Sequence, residues 1–106
     1  MGGIGTWDLI SRFPDLFAAA VPVCGGGDTS TAGTIQHIPV WAFHGALDDV
    51  IHPQLSRSMV SALQKIGASP QYTEYPDLGH GIWDRVYTDP KMFRWLFDQQ
   101  LKRHKN

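Results

Sequence analysis

Three short stretches of strand character, each too far from the next for a hairpin, constrain this chain more than any other feature. Phe17-Ala-Ala-Ala-Val-Pro-Val23 and Pro39-Val-Trp-Ala-Phe-His44 are continuous apolar runs, and Gln71-Tyr-Thr-Glu-Tyr75 alternates. Continuous runs belong to strands covered on both faces, and the small alanines of the first suit helices packing on either side. The intervening segments read as helices. Ile4, Trp7, Ile10 and Phe13 recur at helical spacing before Pro14 stops the helix. Pro53 opens the next, whose stripe is Leu55, Met59, Leu63 and Ile66, and Gly67 ends it. A final helix is expected from Pro90 to Lys102 with Met92, Phe93, Leu96, Phe97 and Leu101 inward. The polar stretch Thr29–His37 is a loop with one helical turn. Strands that alternate with helices must lie parallel, joined by crossovers. The expectation is an α/β fold with three parallel strands and flanking helices.

Composition narrows the possible functions. The chain has 106 residues, 42% hydrophobic and 18% charged, which is globular and sized for one domain or part of one. A net charge of −1 provides no electrostatic footprint for nucleic acid. The basic end Lys102-Arg103-His104-Lys105 reads as a solvated terminus. The single cysteine, Cys24, excludes an internal disulfide and leaves no thiol metal site to expect; it reads as a small buried hydrophobe at a strand end. No apolar run is long enough for a membrane span, no signal peptide is visible, and no compartment follows.

In parallel sheets, functional loops lie beyond the carboxyl ends of the strands. The loop after the second strand reads His44-Gly-Ala-Leu-Asp48-Asp49-Val-Ile51-His52-Pro53, and the loop after the third reads Tyr75-Pro-Asp77-Leu-Gly79-His80-Gly81-Ile-Trp83. An acid on one and a histidine on the next can meet. A carboxylate that holds an imidazole fixes its tautomer and stabilises its cation, which makes the imidazole a general base. His44, Asp48, Asp49 and His52 are also metal-ligand types, but a loop spacing like theirs has no fixed ligand geometry. Gly25-Gly26-Gly27 lacks the Lys-Ser/Thr ending of a phosphate loop and reads as a turn. Trp41 is a core residue by position; Trp83, three residues after His80, is the candidate for a substrate pocket.

These stretches carry a resemblance. MGGIGTWDLISRFPDLFAAAVPVCGGGD, PVWAFHGALDDVIHP and YTEYPDLGHGIW, in this order and spacing, resemble the C-terminal part of α/β-hydrolases of the dienelactone hydrolase, phospholipase/carboxylesterase and prolyl-oligopeptidase-like group, the "predicted peptidase" type. The similarity covers nearly the whole chain. It implies a Ser-Asp-His triad. Asp48, four residues after His44 in a His-Gly-x-x-Asp pattern, would be the acid, with Asp49 as its competitor, and His80 would be the base. In such proteins Gly-x-Ser precedes Met-Gly-Gly, at a crowded turn that needs small residues such as Gly2 and Gly3. The resemblance thus implies a partial α/β-hydrolase domain over 1–106 that begins just after the nucleophile. Met1 would supply an oxyanion-hole amide in a longer chain.

The implied parent is a serine hydrolase acting on a small-molecule ester or peptide substrate, without cofactor or metal. The chain itself, with none of Ser11, Ser30, Ser56, Ser58, Ser61 or Ser69 on such a turn, is expected to be inactive. The alternative is a non-catalytic remnant or a half-domain that associates with a missing N-terminal partner. The Phe17–Val23 edge, which five further strands would otherwise continue, is expected to promote self-association.

Overall fold

The computed structural model describes residues 2–105, without the side chains of residues 101 and 103–105. Two strands, β1 (Trp41–Gly45) and β2 (Gln71–Tyr75), pair in parallel with Trp41 opposite Gln71 and Gly45 opposite Tyr75. The first expected strand is present but irregular. Ala20 and Val23 form parallel bridges to Val40 and Phe43. The ladder runs Ala20 N to Pro39 O, Trp41 N to Ala20 O, Phe43 N to Pro22 O and Cys24 N to Phe43 O, at 2.9–3.1 Å. One rung is missing because Pro22 has no N–H to give. The expected three strands are therefore two regular strands and a proline-interrupted third segment on the other side of β1.

Among the described residues, five helices accompany the sheet: α1 (Gly2–Arg12), α2 (Ala32–Ile35, after a 3-10 turn at Thr29–Thr31), α3 (Gln54–Lys65), α4 (Trp83–Tyr87) and α5 (Pro90–Lys105). Alternation along β1 sorts them into two layers. Val40 and Ala42 pack with Trp7, Ile10, Ile35, Met59 and Leu63 from α1–α3. Phe43 packs with Val23, Ile82, Val86 and Met92 on the α4–α5 side, where Trp41 stacks on Phe43 at 5.0 Å and meets Trp95 edge-on at 5.7 Å.

Three expected helical faces need correction. On α1 the buried residues are Gly3, Trp7 and Ile10, whereas Ile4 and Phe13 are exposed. A spacing of three advances about 60° around a helix per step, so four such positions spread over half its circumference and cannot share one buried stripe. On α3 the buried arc is Ser56, Met59, Val60 and Leu63, and Leu55 and Ile66 are exposed. A polar residue, Ser56, occupies part of the arc that apolar counting assigned to Leu55. On α5, Met92 is buried and Trp95 and Leu96 half-buried, but Phe93 and Phe97 face outward; the side chain of Leu101 lies outside the described residues. Pro53 stands at the cap position just before α3. The helix ends as expected: Gly67, at φ 90°, gives its N–H to Gln64 O while Ala68 N–H reaches Leu63 O, the paired bonds of a left-handed glycine cap.

Candidate active site

Bare backbone contacts bring the strand ends together. A Cβ on Gly45, the last residue of β1, would lie 2.2 Å from Gly79 O and 2.4 Å from Leu78 O. The loop after β1 can therefore press directly against the loop after β2, and Ala46 N to Tyr75 O and Leu47 N to Leu78 O, both 2.9 Å, stitch them. A Cβ on Gly25 would lie 2.2 Å from Gly3 C and Ile4 N, so the turn after the proline-interrupted segment meets the start of α1 backbone to backbone. The two loops and the front of α1 share one rim.

Asp48 is buried there, and each of its oxygens has a defined task. Oδ1 accepts the N–H groups of Val50 (2.9 Å) and Ile51 (2.8 Å). Oδ2 lies 2.8 Å from His80 Nδ1 and 3.1 Å from His44 Nε2. Burial pushes this carboxyl up, but the His80 hydrogen bond and the Ile51 and Val50 amides outweigh it and hold the group below its ordinary value. His80 is the more open partner, with its side chain 27% exposed, and offers an imidazole to solvent with a carboxylate behind it.

Cys24 is fully buried beside this pair. Its φ of 55° is left-handed, unusual for a residue with a side chain, and its thiol donates to His80 O at 3.2 Å. Burial first, then the Asp48 carboxylate, pushes the thiol up to about 11, so it remains protonated and unreactive. The strained turn ties the loop after the proline-interrupted segment to the loop that carries His80.

The expected residues divide plainly. Asp48 and His80 meet; Asp49 is exposed and takes no part in the pair. His44 joins Asp48, but the other imagined metal ligand, His52, is exposed and accepts the Gln54 N–H through Nδ1, so that set of four does not converge. Ligand-type atoms of Cys24, Asp48 and His80 do lie within 4.8 Å of one another, a grouping that a count of cysteines alone had set aside. Trp83 begins α4, stacks on Tyr87 at 6.1 Å and covers the start of α1, 3.2 Å from where a Gly2 Cβ would stand. Trp41 packs in the core and donates its indole N–H to Thr73 Oγ1. Met1 lies outside the described residues. Sequence reasoning missed the pairing of His44 and Ser56. The one available signal was a serine at helical spacing beside Met59 and Val60, on the side of α3 that faces a strand-end histidine.

A parallel sheet flanked by helices on both faces, with an acid and an imidazole meeting at its strand-end rim beside a helix start, defines an α/β-hydrolase-type domain. Residues 28–103 match the prolyl oligopeptidase family, and the chain belongs to that family, which places it among hydrolases. Among solved structures it is similar to a thermostable esterase, at 43% identity and TM-score 0.88 over 92% of this chain and 28% of that one. It is also similar in fold to a protein described as a dienelactone hydrolase from Klebsiella pneumoniae subsp. pneumoniae MGH 78578, at 23% identity and TM-score 0.62 over 94% of this chain and 46% of that one. An uncharacterized secreted protein of Arthroderma benhamiae is 32% identical over 74% of this chain and 12% of its own length. The chain thus spans less than half the length of each of these relatives, from 12% to 46%.

Proposed function

We propose that this chain carries the acid and base of a Ser-Asp-His triad, and that its nucleophile is a serine in a Gly-x-Ser sequence immediately before Met1. The observation that carries this reading is the 2.8 Å bond between His80 Nδ1 and Asp48 Oδ2 at the rim where α1 begins. With Nδ1–H given to Asp48, the other ring nitrogen is free to accept a serine proton. The serine attacks an ester carbonyl, His80 returns the proton to the leaving alcohol, and water, deprotonated by His80, releases the acyl group. Asp48 keeps the imidazole in the correct tautomer and stabilises its cation. The Met1 amide serves the developing oxyanion, and Trp83 borders the substrate. The 43% identity to an esterase favours carboxylic esters over peptide bonds.

In this reading the chain by itself does not turn over. Among the described residues no serine is hydrogen-bonded to His80, and Ser56 is committed to Gly25 O and His44. A fluorophosphonate probe tests the assignment: it should leave this chain unlabelled and label the protein when a Gly-x-Ser-containing upstream segment is restored. Absence of labelling in the restored protein would favour a non-catalytic homologue.

A second property is proposed from the sheet edge. Ala20 and Pro22 turn their backbone groups to β1, so Ala19 and Val21 turn theirs to the far side, where no strand pairs among the described residues. Self-association through this edge follows, measurable as concentration-dependent sedimentation.

A further inference from the structure

We propose that Cys24, Asp48 and His80 form a binding site for a thiophilic divalent cation, zinc above all, and that the bound ion blocks the base. The inference rests on the Asp48–His80 assignment above and deepens it by naming a regulator of that site. Ligand-type atoms of the three side chains, one each of sulfur, carboxylate oxygen and ring nitrogen, lie within 4.8 Å of one another. His80 Nδ1 and Asp48 Oδ2 are 2.8 Å apart. Zinc holds such atoms at roughly 2.0–2.3 Å, which sets them about 3–4 Å from each other around the ion. A modest turn of one ligand therefore admits it, and His80, with its side chain 27% exposed, is the ligand with room to turn. The other two are held in advance. The Val50 and Ile51 amides occupy Asp48 Oδ1 and leave Oδ2 directed at His80. Cys24, at φ 55°, points its thiol at the backbone of the same loop.

The donor set selects the ion. Thiolate with imidazole and carboxylate suits zinc, whereas magnesium and calcium take oxygen ligands. Thiolate and carboxylate bring two negative charges, which a divalent ion cancels, so the loaded site is neutral and an unpaired buried charge is avoided. Without an ion, burial and the Asp48 carboxylate keep the thiol protonated. Coordination displaces that proton to solvent. The imidazole binds as a neutral ring through Nδ1, and its one proton then resides on Nε2. In the triad reading Nε2 must be bare to accept the serine proton. Occupancy of the site thus silences the base, with the fourth coordination position left to water.

Neighbouring groups are engaged elsewhere. His44 has Ser56 Oγ at Nδ1 and Ile51 O at Nε2. Glu74 is held by Arg57 and Tyr72. His52 is exposed and accepts the Gln54 N–H.

The test is titration of this chain with cobalt and zinc ions, which needs no nucleophile and therefore stands or falls separately from fluorophosphonate labelling. Cobalt should bind one ion per chain with a thiolate charge-transfer band that zinc bleaches. C24S should abolish the band, and C24S and H80Q should each weaken zinc binding at least about tenfold, while H52Q leaves it unchanged. In the zinc-loaded native chain, long-range nitrogen–proton spectra should place the His80 proton on Nε2. Absence of a thiolate band, equal zinc affinity in native, C24S and H80Q chains, or a His80 proton retained on Nδ1 would overturn the proposal. Should C24S or H80Q fail to fold, cadmium NMR of the native chain decides: a shift typical of a sulfur ligand supports the site, and one typical of nitrogen and oxygen ligands alone ends it.

Discussion

The strand-end rim and the outer flanks of the molecule are built on opposite terms. At the rim, glycines let backbones touch, and polar side chains are buried: Asp48 at 3% exposure, His44 and Ser56 at 0%. On the flanks, helices α1 and α5 and the turn after α1 hold large apolar side chains in the open, with Leu9, Phe13 and Leu16 at 45–69% and Phe97 at 60% exposure. Apolar bulk therefore does not mark where this fold buries its polar side chains. The rim is specified by contacts that admit one arrangement each, whereas the flanks are specified by little beyond helix geometry.

The comparison can be broken most severely at Gly45. A methyl group there would meet two carbonyl oxygens of the neighbouring loop at 2.4 Å or less, with backbone on both sides and nothing free to yield. G45A is expected to cost at least about 4 kcal/mol, a large part of the stability of a small domain. Denaturant unfolding should show G45A largely unfolded in buffer, and a midpoint near that of the native chain would mean that the two loops are not in direct contact.

Asp48 gives the next largest effect, with a defined pH signature. Its carboxyl is held below its ordinary value, so its ionised form stabilises the folded state. That contribution is complete above the unfolded value, about 3.9, and disappears as pH falls through the lower folded value. D48N should therefore cost about 1–3 kcal/mol near neutrality, and the gap to the native chain should narrow progressively below about pH 4. Unfolding free energies measured across this range check it; a gap that stays constant into acid would mean that the ionised carboxylate adds nothing.

Much of the rim was legible because its determinants are positional. Asp48 and His80 stand in loops that directly follow apolar or alternating strands, and parallel topology brings such loops together. Gly67 announced the end of α3 for the same kind of reason, since few residues accept its φ. What escaped was whatever depended on a partner distant in sequence. Ser56 is polar and buried only because Gly25 and His44 are there to bond it, and that shifted the whole face of α3 away from Leu55 and Ile66. The irregularity of the Phe17–Val23 segment was written in Pro22 itself, one rung of whose ladder cannot form. Helix α4, five residues long with no side-chain cap on its first turn, left no periodic signal strong enough to read.

A smaller effect belongs to the surface between rim and flank, where Arg57 on α3 grips Glu74 on β2 through two nitrogens at 2.9 and 2.7 Å. The Arg57 hydrogen bond holds the Glu74 carboxyl below its ordinary value. Solvent reaches both side chains, so R57A should cost only about 0.2–1 kcal/mol, and less at high salt. Chemical denaturation at low and high ionic strength measures this directly. A loss as large as that of D48N would show that geometry at the outer edge is as demanding as at the rim.

The smallest stability effects are expected on the flanks, where they separate two routes to self-association. Leu9→Gln, Phe13→Gln and Leu16→Gln should each change stability by no more than about 0.5 kcal/mol, because the side chains they replace already lie largely in solvent. If copies associate by pairing strand edges, these substitutions leave sedimentation nearly unchanged, whereas A19P, which removes an N–H directed at the far edge, weakens association. The reverse pattern would place the contact on the apolar helix faces and remove the edge-pairing proposal. Backbone pairing requires a particular register and a free N–H, whereas apolar contact requires only area, so a single proline discriminates between them where a count of exposed hydrophobic residues does not.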